Sequence, residues 1–155
     1  MKMSSNYGSL IRMAAFAIAF VIIMSVVSNM IINPPPTVKV TECSLTSSTV
    51  SSGGQTPIKI TLKSNDNEDS HVIRVEFSSH QLVRFLLGSA ELHREGSIWY
   101  YTLTLNPRAT LTEMINVNPT LESGISELKY RICVIFYRDG EEFYTKNLDL
   151  LVKAP

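Results

Sequence analysis

The chain has 155 residues, of which 45% are hydrophobic and 18% are charged, so it is long enough for one folded domain and too apolar for a disordered chain. Lys and Arg total 14, and Asp and Glu also total 14, so no net positive charge favours nucleic acid as a partner. Two cysteines are too few for a disulfide-stapled miniprotein.

The most apolar segment lies near the N-terminus, where residues 13–32 include no charged residue. As a helix, this run would span about 30 Å, the thickness of a bilayer's hydrocarbon core. Lys2 and Arg12 precede the run without any acidic residue, so the positive-inside rule leaves residues 1–12 in the cytoplasm. We therefore expect a single-pass signal-anchor helix at 13–32 in the plasma membrane, with lipid around it and residues 33–155 outside the cytoplasm.

A cleaved secretory signal is the alternative interpretation of this segment. Val26 and Ser28 could form a small-residue cleavage site before Asn29. The hydrophobic run continues through residues 30–32 beyond that site, which favours a retained anchor.

Four residues of the span are candidates for contact with another membrane helix. Ala15 and Ala19 form a small-xxx-small pair, and Ser25 and Asn29 share one helical face. Asn29 would then supply an interhelical hydrogen bond; alternatively, it lies close enough to the outer boundary to reach headgroups and water. Three prolines at 34–36 end the helix and make residues 33–36 a short, stiff spacer.

From Thr37 onward, short segments alternate apolar and polar residues, and turn-forming residues bound them. This alternation is typical of strands that bury one face. The first strand begins at Val38, residues 64–70 form a polar turn, and residues 81–87 fit either a strand or a helical turn. The inward faces of four further strands are Ile58, Ile60 and Leu62; Ile73, Val75 and Phe77; Trp99, Tyr101, Leu103 and Leu105; and Ile115 and Val117.

The clearest predicted element is a hairpin near the C-terminus. Its first strand places Leu128, Tyr130, Ile132, Val134 and Phe136 on one face. Asp139 and Gly140 then supply the two positive-φ positions of a type I′ turn. In the returning strand, residues 143–152, the apolar parity shifts between Phe143 and Leu148, which predicts a bulge near Lys146 and Asn147.

Seven to eight short strands without a soluble helix predict an all-β domain at 37–155. The order of signals favours an immunoglobulin-like antiparallel β-sandwich, preceded by the transmembrane helix. Trp99 shares its parity with Tyr101 and is expected in the core rather than in an exposed ligand platform.

Several motifs resemble archaeal cell-surface immunoglobulin-like domains of the CARDB type. They are Gly53-Gly54 before a strand, Leu105-Asn106-Pro107, the Leu128–Phe136 strand ending in Tyr-Arg-Asp-Gly, and the final Leu-Asp-Leu-Leu-Val. The resemblance covers most of residues 37–153 and implies a module of an exported surface protein. One anchor that carries one sandwich also resembles the layout of the archaellum stator proteins, which implies attachment of a motor to the surface layer.

The chain carries few signals for chemistry. Asp66, Glu68 and Asp69 concentrate oxygen ligands and are calcium candidates, although Asn and Asp also favour turns by themselves. His71, His80 and His93 lack zinc-ligand spacing and are expected to make ordinary polar contacts. No nucleophile motif, phosphate loop or dinucleotide fingerprint occurs, so we expect no enzyme, no cofactor and no small-molecule substrate.

Cys43 and Cys133 are a candidate disulfide in an oxidising compartment. Cys133 is out of phase with the inward residues of its strand, so the bond would require the first strand to reach that outer face; a free thiol packed under another subunit is the alternative. The same outer face holds Arg131, Ile135 and Tyr137, with Tyr144 as a neighbour on the next strand. Arg and aromatic residues together are typical of protein interfaces.

Two functions remain open. In the first, the chain is a membrane-anchored structural or accessory subunit, whose sandwich contacts a membrane-protein or surface-layer partner. In the second, it is a surface module that binds a metal or carbohydrate ligand through the loops of the sandwich.

Overall fold

The computed structural model describes the backbone of residues 5–32 and 36–155, and the side chains of residues 15–28 and 36–155. The chain divides into two compact units, Met1–Pro36 and Thr37–Pro155. The spacer residues 33–35 and the side chain of Asn29 lie outside the described residues, and so does the structure of residues 1–4.

The first unit contains one helix, α1 (Ser5–Ile32), of 28 residues. Its described side chains, at residues 15–28, are all exposed, and Phe16 is 77% exposed. The Ser25 hydroxyl donates a hydrogen bond to the carbonyl of Ile22 within the helix. In the part of the chain that the structure describes, no helix meets the length and hydropathy required to cross a membrane.

The second unit is built from strands, as its alternating sequence predicts. The described residues form eleven strands: β1 (Val38–Leu45), β2 (Thr49–Ser51), β3 (Thr56–Ser64), β4 (His71–Ser78), β5 (Val83–Leu87), β6 (Ala90–Glu91), β7 (His93–Glu95), β8 (Ile98–Leu105), β9 (Thr110–Pro119), β10 (Glu127–Arg138) and β11 (Glu141–Lys153). Residues 83–87, for which the sequence left strand and helical turn open, form a strand. Three strands, β2, β6 and β7, have only two or three residues.

Two sheets pack face to face. The strand order is β1-β3-β9-β5-β6 in the five-stranded sheet and β2-β11-β10-β4-β8-β7 in the six-stranded sheet. Phe77 of β4 stacks on Phe85 of β5 at 5.1 Å between ring centroids, and each is fully buried. Aromatic rings from both sheets therefore meet in one core. This confirms the prediction that the domain is an all-β sandwich of two sheets.

The predicted inward faces are buried almost throughout. Ile58, Ile73 and Phe136 are each 0% exposed, and Trp99 is 6% exposed, which confirms its place in the core. Two residues are exceptions: Leu103 of β8 is half-buried, and Leu128, near the start of β10, is 38% exposed.

Two details of the sheet differ from the prediction. The β2–β11 pair is parallel, so the six-stranded sheet is mixed rather than wholly antiparallel. The bulge of the last hairpin lies at Phe143, because Phe136 pairs with Tyr144 and Tyr137 pairs with Glu142. Lys146 and Asn147, where the bulge was expected, pair regularly with Val134 and Cys133.

Candidate protein-interaction face

The outward side chains of β4, β8 and β10 form a continuous face at the centre of the six-stranded sheet. Two rows cross it in register. Glu76 lies between Ile135 and Tyr100, and Arg74 lies between Tyr137 and Thr102. We call this surface the outer face and define it by the following residues: Arg74, Glu76, Tyr100, Arg131, Cys133, Ile135 and Tyr137.

Arg74 is held in place on the outer face by several groups. Its Nε donates to Glu76 Oε1 at 2.8 Å, and one terminal nitrogen donates to Glu95 Oε2 at 3.2 Å. The guanidinium carbon lies 3.8 Å from the centroid of the Tyr100 ring, within the range of a cation–π contact. Tyr100 closes the network by donating its hydroxyl to Glu95 Oε1 at 3.0 Å.

The contacts on the outer face shift the pKa values of its titratable groups. The hydrogen bond from Tyr100, and then that from Arg74, lower the pKa of the Glu95 carboxyl, and the bond to Glu95 raises the pKa of the Tyr100 hydroxyl. Burial, followed by the charges of Glu76 and Glu142, raises the pKa of Tyr137. At neutral pH, the face thus presents neutral phenol rings beside an ion-paired guanidinium.

A small depression lies next to this network. It has a volume of about 40 Å³ and is lined by Glu76, Phe77, Ser78, Ile98 and Ile135. An apolar depression with a polar edge, surrounded by half-buried aromatic and Arg side chains, is typical of the centre of a protein interface.

Of the predicted interface residues, the structure brings Arg131, Ile135 and Tyr137 to one face. The prediction that Tyr144 belongs to this face is wrong, because Tyr144 pairs with the inward Phe136 and packs against its ring edge-on, at 5.6 Å between ring centroids. The displaced bulge is the physical reason, since a one-residue slip turns a strand's side chains to the other face. Arg74, Glu76 and Tyr100 also belong to the face and were not among the predicted interface residues, although the alternation of their strands places them outward.

Of the two alternatives left open for Cys43 and Cys133, the structure contradicts the disulfide, because both cysteines are free. Cys43 belongs to the buried core on β1, and burial raises the pKa of its thiol to about 11. Cys133 lies on β10 in the other sheet, out of phase with its buried neighbours. The core between the two positions prevents the bond.

The acidic loop of the calcium prediction is organised by internal hydrogen bonds. Asp66 Oδ1 accepts from the backbone amides of Glu68 and Asp69, and Oδ2 lies 3.1 Å from His71 Nε2. These amides, and then His71, lower the pKa of Asp66 to about 2. Among the residues that the structure describes, no group of three or more His, Cys, Asp or Glu side chains is placed to hold a metal. The observed geometry is that of a turn closed by Asp66.

A second, polar groove lies on the five-stranded sheet. Its volume is about 310 Å³, and it is lined by Gln81, Leu82, Arg84, Leu86, Glu91, Asn118 and Thr120. Arg84 and Glu91 form an ion pair of 3.6 Å there, so their charges largely offset each other.

No family model and no curated protein matches the chain in sequence. One similar solved structure is the alkylpurine DNA glycosylase AlkC of Pseudomonas fluorescens, bound to DNA with an abasic site analogue, at 13% identity and a TM-score of 0.47, over 76% of this chain and 31% of that one. Another is Spo0M, a sporulation control protein of Bacillus subtilis, at 11% identity and a TM-score of 0.48, over 78% of this chain and 51% of that one.

A third is AvmM, which catalyses macrocyclization in alchivemycin A biosynthesis, at 6% identity and a TM-score of 0.46, over 78% of this chain and 91% of that one. The chain spans about a third and about half of the first two proteins. Similarities at this level carry no argument about activity, site or partner, and the resemblance to CARDB-type domains stays a prediction.

Proposed function

We propose that the chain is a membrane-anchored, non-catalytic accessory subunit, whose extracytoplasmic sandwich binds a protein partner through the outer face. The observation that carries this proposal is the ordered network of Arg74, Tyr100, Glu76 and Glu95 beside Ile135 and Tyr137. Binding partners lose entropy when they fix flexible side chains. Because Arg74 is already fixed by three neighbours, Glu76, Glu95 and Tyr100, part of that loss has occurred before the partner arrives.

The anchor part of the proposal is supported by the composition of the first unit. Residues 13–32 carry no charge, and exposed apolar side chains occupy α1, among them Phe16, Ile18 and Phe20. A helix that is apolar on all sides is typical of a membrane span or a deep core. The side chains of residues 13, 14 and 29–32, which complete the run, lie outside those that the structure describes.

The immunoglobulin-like part of the proposal is supported by strand order. In sequence, β1, β3, β4, β5, β9, β10 and β11 can be labelled A to G. The observed orders β1-β3-β9-β5 and β11-β10-β4 then correspond to ABED and GFC, the constant-type arrangement. In this assignment β6, β7 and β8 are an insertion between D and E, and β8 extends the second sheet beside β4.

Mild detergent extraction of membranes that contain the full chain tests the proposal. The expected result is that the chain migrates in a complex larger than itself and that Ile135→Asp returns it to the size of the free chain. The matched control is Met114→Asp, which places the same charge on an exposed apolar position of the other sheet and should leave the complex intact. Loss of the complex in both variants, or in neither, would contradict binding through the outer face.

Capture of a small polar ligand is a second candidate function, and the groove on the five-stranded sheet favours it. The Arg84–Glu91 pair offsets its own charge, while Gln81, Asn118 and Thr120 offer amide and hydroxyl groups, so a neutral carbohydrate fits better than an ion. Calorimetric titration with neutral oligosaccharides tests this function. Binding that Asn118→Ala abolishes and Ile135→Asp preserves would support the ligand module over the accessory subunit.

A further inference from the structure

The imidazole of His71 lies between two carboxylates that belong to different connections of the sandwich. Nδ1 is 2.8 Å from Asp139 Oδ2 in the β10–β11 turn, and Nε2 is 3.1 Å from Asp66 Oδ2 in the β3–β4 loop. Asp139 and Asp66 are 73 positions apart in sequence, and the His71 side chain is only 12% exposed. One ring therefore joins two connections that lie far apart in the sequence.

Both carboxylates are already committed as hydrogen-bond acceptors. Asp66 Oδ1 accepts from the amides of Glu68 and Asp69, and Asp139 Oδ1 accepts from the amide of Val72 at 2.9 Å. A neutral imidazole has one N–H and one lone pair, whereas the imidazolium has two N–H groups. Only the protonated ring can donate to both carboxylates, because the neutral ring would direct a lone pair at one of them.

The other charged groups near the ring come from each element packed around it. Arg138 precedes Asp139 and lowers the pKa of that carboxyl, after the larger effects of His71 and the Val72 amide. Arg108, in the β8–β9 connection, donates its backbone N–H to the Asp66 carbonyl at 2.9 Å and its Nε to Asn67 at 2.8 Å. Glu68 and Asp69 complete the β3–β4 loop, and His71 itself pairs with the apolar Leu105 of β8.

These contacts lie where the chain enters the sandwich. The Asn65 amide donates to the Thr37 carbonyl at 2.7 Å, and the Arg138 guanidinium donates to the Thr37 hydroxyl. The β3–β4 loop, the β8–β9 connection, the β10–β11 turn and the start of β1 are thus joined at one end of the domain. We call this region the entry end.

We propose that His71 is a proton-operated latch, which holds the entry end closed when its ring is doubly protonated and releases the β3–β4 loop from the β10–β11 turn when it loses a proton. The latch is independent of the outer face and of any partner. Its consequence is a domain whose β3–β4 loop and last hairpin respond to the pH around them.

The direction of the response follows from the pKa of His71. The hydrogen bond to Asp139, opposed by burial and assisted by Asp66, raises that pKa above its ordinary value. The stabilisation is therefore complete below the unfolded-state value of about 6.5 and is lost as pH rises through the folded-state pKa. The latch opens on the alkaline side, not in acid.

Nuclear magnetic resonance of the full chain in detergent micelles tests the latch through two readouts. The first is the titration of the ring nitrogens, which His71→Gln assigns. The second is the exchange rate of the Glu68 and Asp69 amides, corrected for intrinsic base catalysis. We expect His71 to titrate above about 6.5 and the corrected exchange to rise by roughly tenfold through the same pH range.

Three variants make the result decisive. His71→Gln should remove the pH step in exchange, while His93→Gln, an exposed histidine of β7, should keep it. If His71→Gln does not fold, Asp139→Asn should still lower the pKa of His71 and move the exchange step to the same lower pH. A single neutral tautomer of His71 below pH 6, or an exchange profile that is unchanged in every variant, would overturn the proposal.

Discussion

Arg74 lies with its guanidinium carbon 3.8 Å from the centroid of the Tyr100 ring, and both residues point outward from neighbouring strands of the six-stranded sheet. Glu76 and Glu95 fix the same guanidinium from two sides. Because the Glu76 side chain is only 14% exposed, Arg74 neutralises a carboxylate that is partly withdrawn from water. The contact therefore contributes both to the shape of the outer face and to the stability of the sheet.

Replacing Arg74 should measure its contribution to stability. Arg74→Ala leaves Glu76 and Glu95 without their cation, and we expect it to lower the free energy of unfolding by about 1 kcal/mol. Arg74→Lys keeps the charge but loses the planar stack and the second hydrogen bond, so its loss should be smaller. Urea unfolding followed through the single tryptophan, Trp99, measures both; equal stability of Arg74→Ala and the native chain would show that the network contributes nothing.

Phe77 is the centre of the core. It is 0% exposed and stacks with Phe85 and Tyr101 at 5.1 and 6.1 Å. Phe77→Ala should destabilise the sandwich by about 3–5 kcal/mol, since it removes a buried ring and leaves a cavity. Val72→Ala, near the other end of β4 at a position that is 50% exposed, is the control and should change stability by less than about 0.5 kcal/mol. A small effect at Phe77 would contradict the packing of the two sheets on this ring.

The stability contributed by Asp66 should depend on pH in the opposite sense to that of His71. Its pKa is lowered to about 2 in the fold, so its contribution is present above the unfolded value of about 3.9 and disappears as pH falls towards 2. Asp66→Asn should therefore lower the melting temperature at pH 6 and have little effect near pH 2. Thermal unfolding at both pH values measures this, and a loss of equal size at both would exclude the carboxylate charge as the cause.

The two thiols should differ in reactivity. Cys43 is 8% exposed, and burial raises its pKa to about 11, so it should remain unmodified by a maleimide at pH 7 in the folded chain. Cys133 is half-buried on the outer face and should be the faster site. Mass spectrometry of Cys43→Ser and Cys133→Ser after labelling assigns each reaction, and unfolded chain gives the reference for full modification. Rapid labelling of Cys43 in the native state would show that β1 opens.

Local patterns account for most of what the sequence predicted correctly. Alternation identified the strands because each sheet buries one face, and Asp139 and Gly140 do adopt positive φ angles of 52° and 92°, as the hairpin requires. The parity shift in the last strand was also visible in the sequence, and it indicates a bulge. The position of that bulge was not visible, because a bulge at Phe143 and a bulge at Asn147 leave Leu148 on the same face.

The candidate site depends on contacts between distant parts of the chain, which local patterns do not contain. Nothing near Ile135 in sequence shows that β4 and β8 continue its face, so Arg74 and Tyr100 were missed. The same is true of His71 and Asp139, which are separated by 68 positions. Asp66, Glu68 and Asp69 fit both a calcium loop and a turn in sequence, and the contacts of the Asp66 carboxylate with the amides of Glu68 and Asp69 identify the turn.

Site-specific photo-crosslinking in intact cells is the most direct test of partner binding through the outer face. A photoreactive amino acid at Ile135 or Tyr137 samples the outer face, and the same amino acid at Thr112 or Met114 samples the exposed face of the five-stranded sheet. We expect one discrete crosslinked protein band, in the membrane fraction, from the first pair alone. The same bands from both faces, or crosslinking from the five-stranded sheet only, would contradict it.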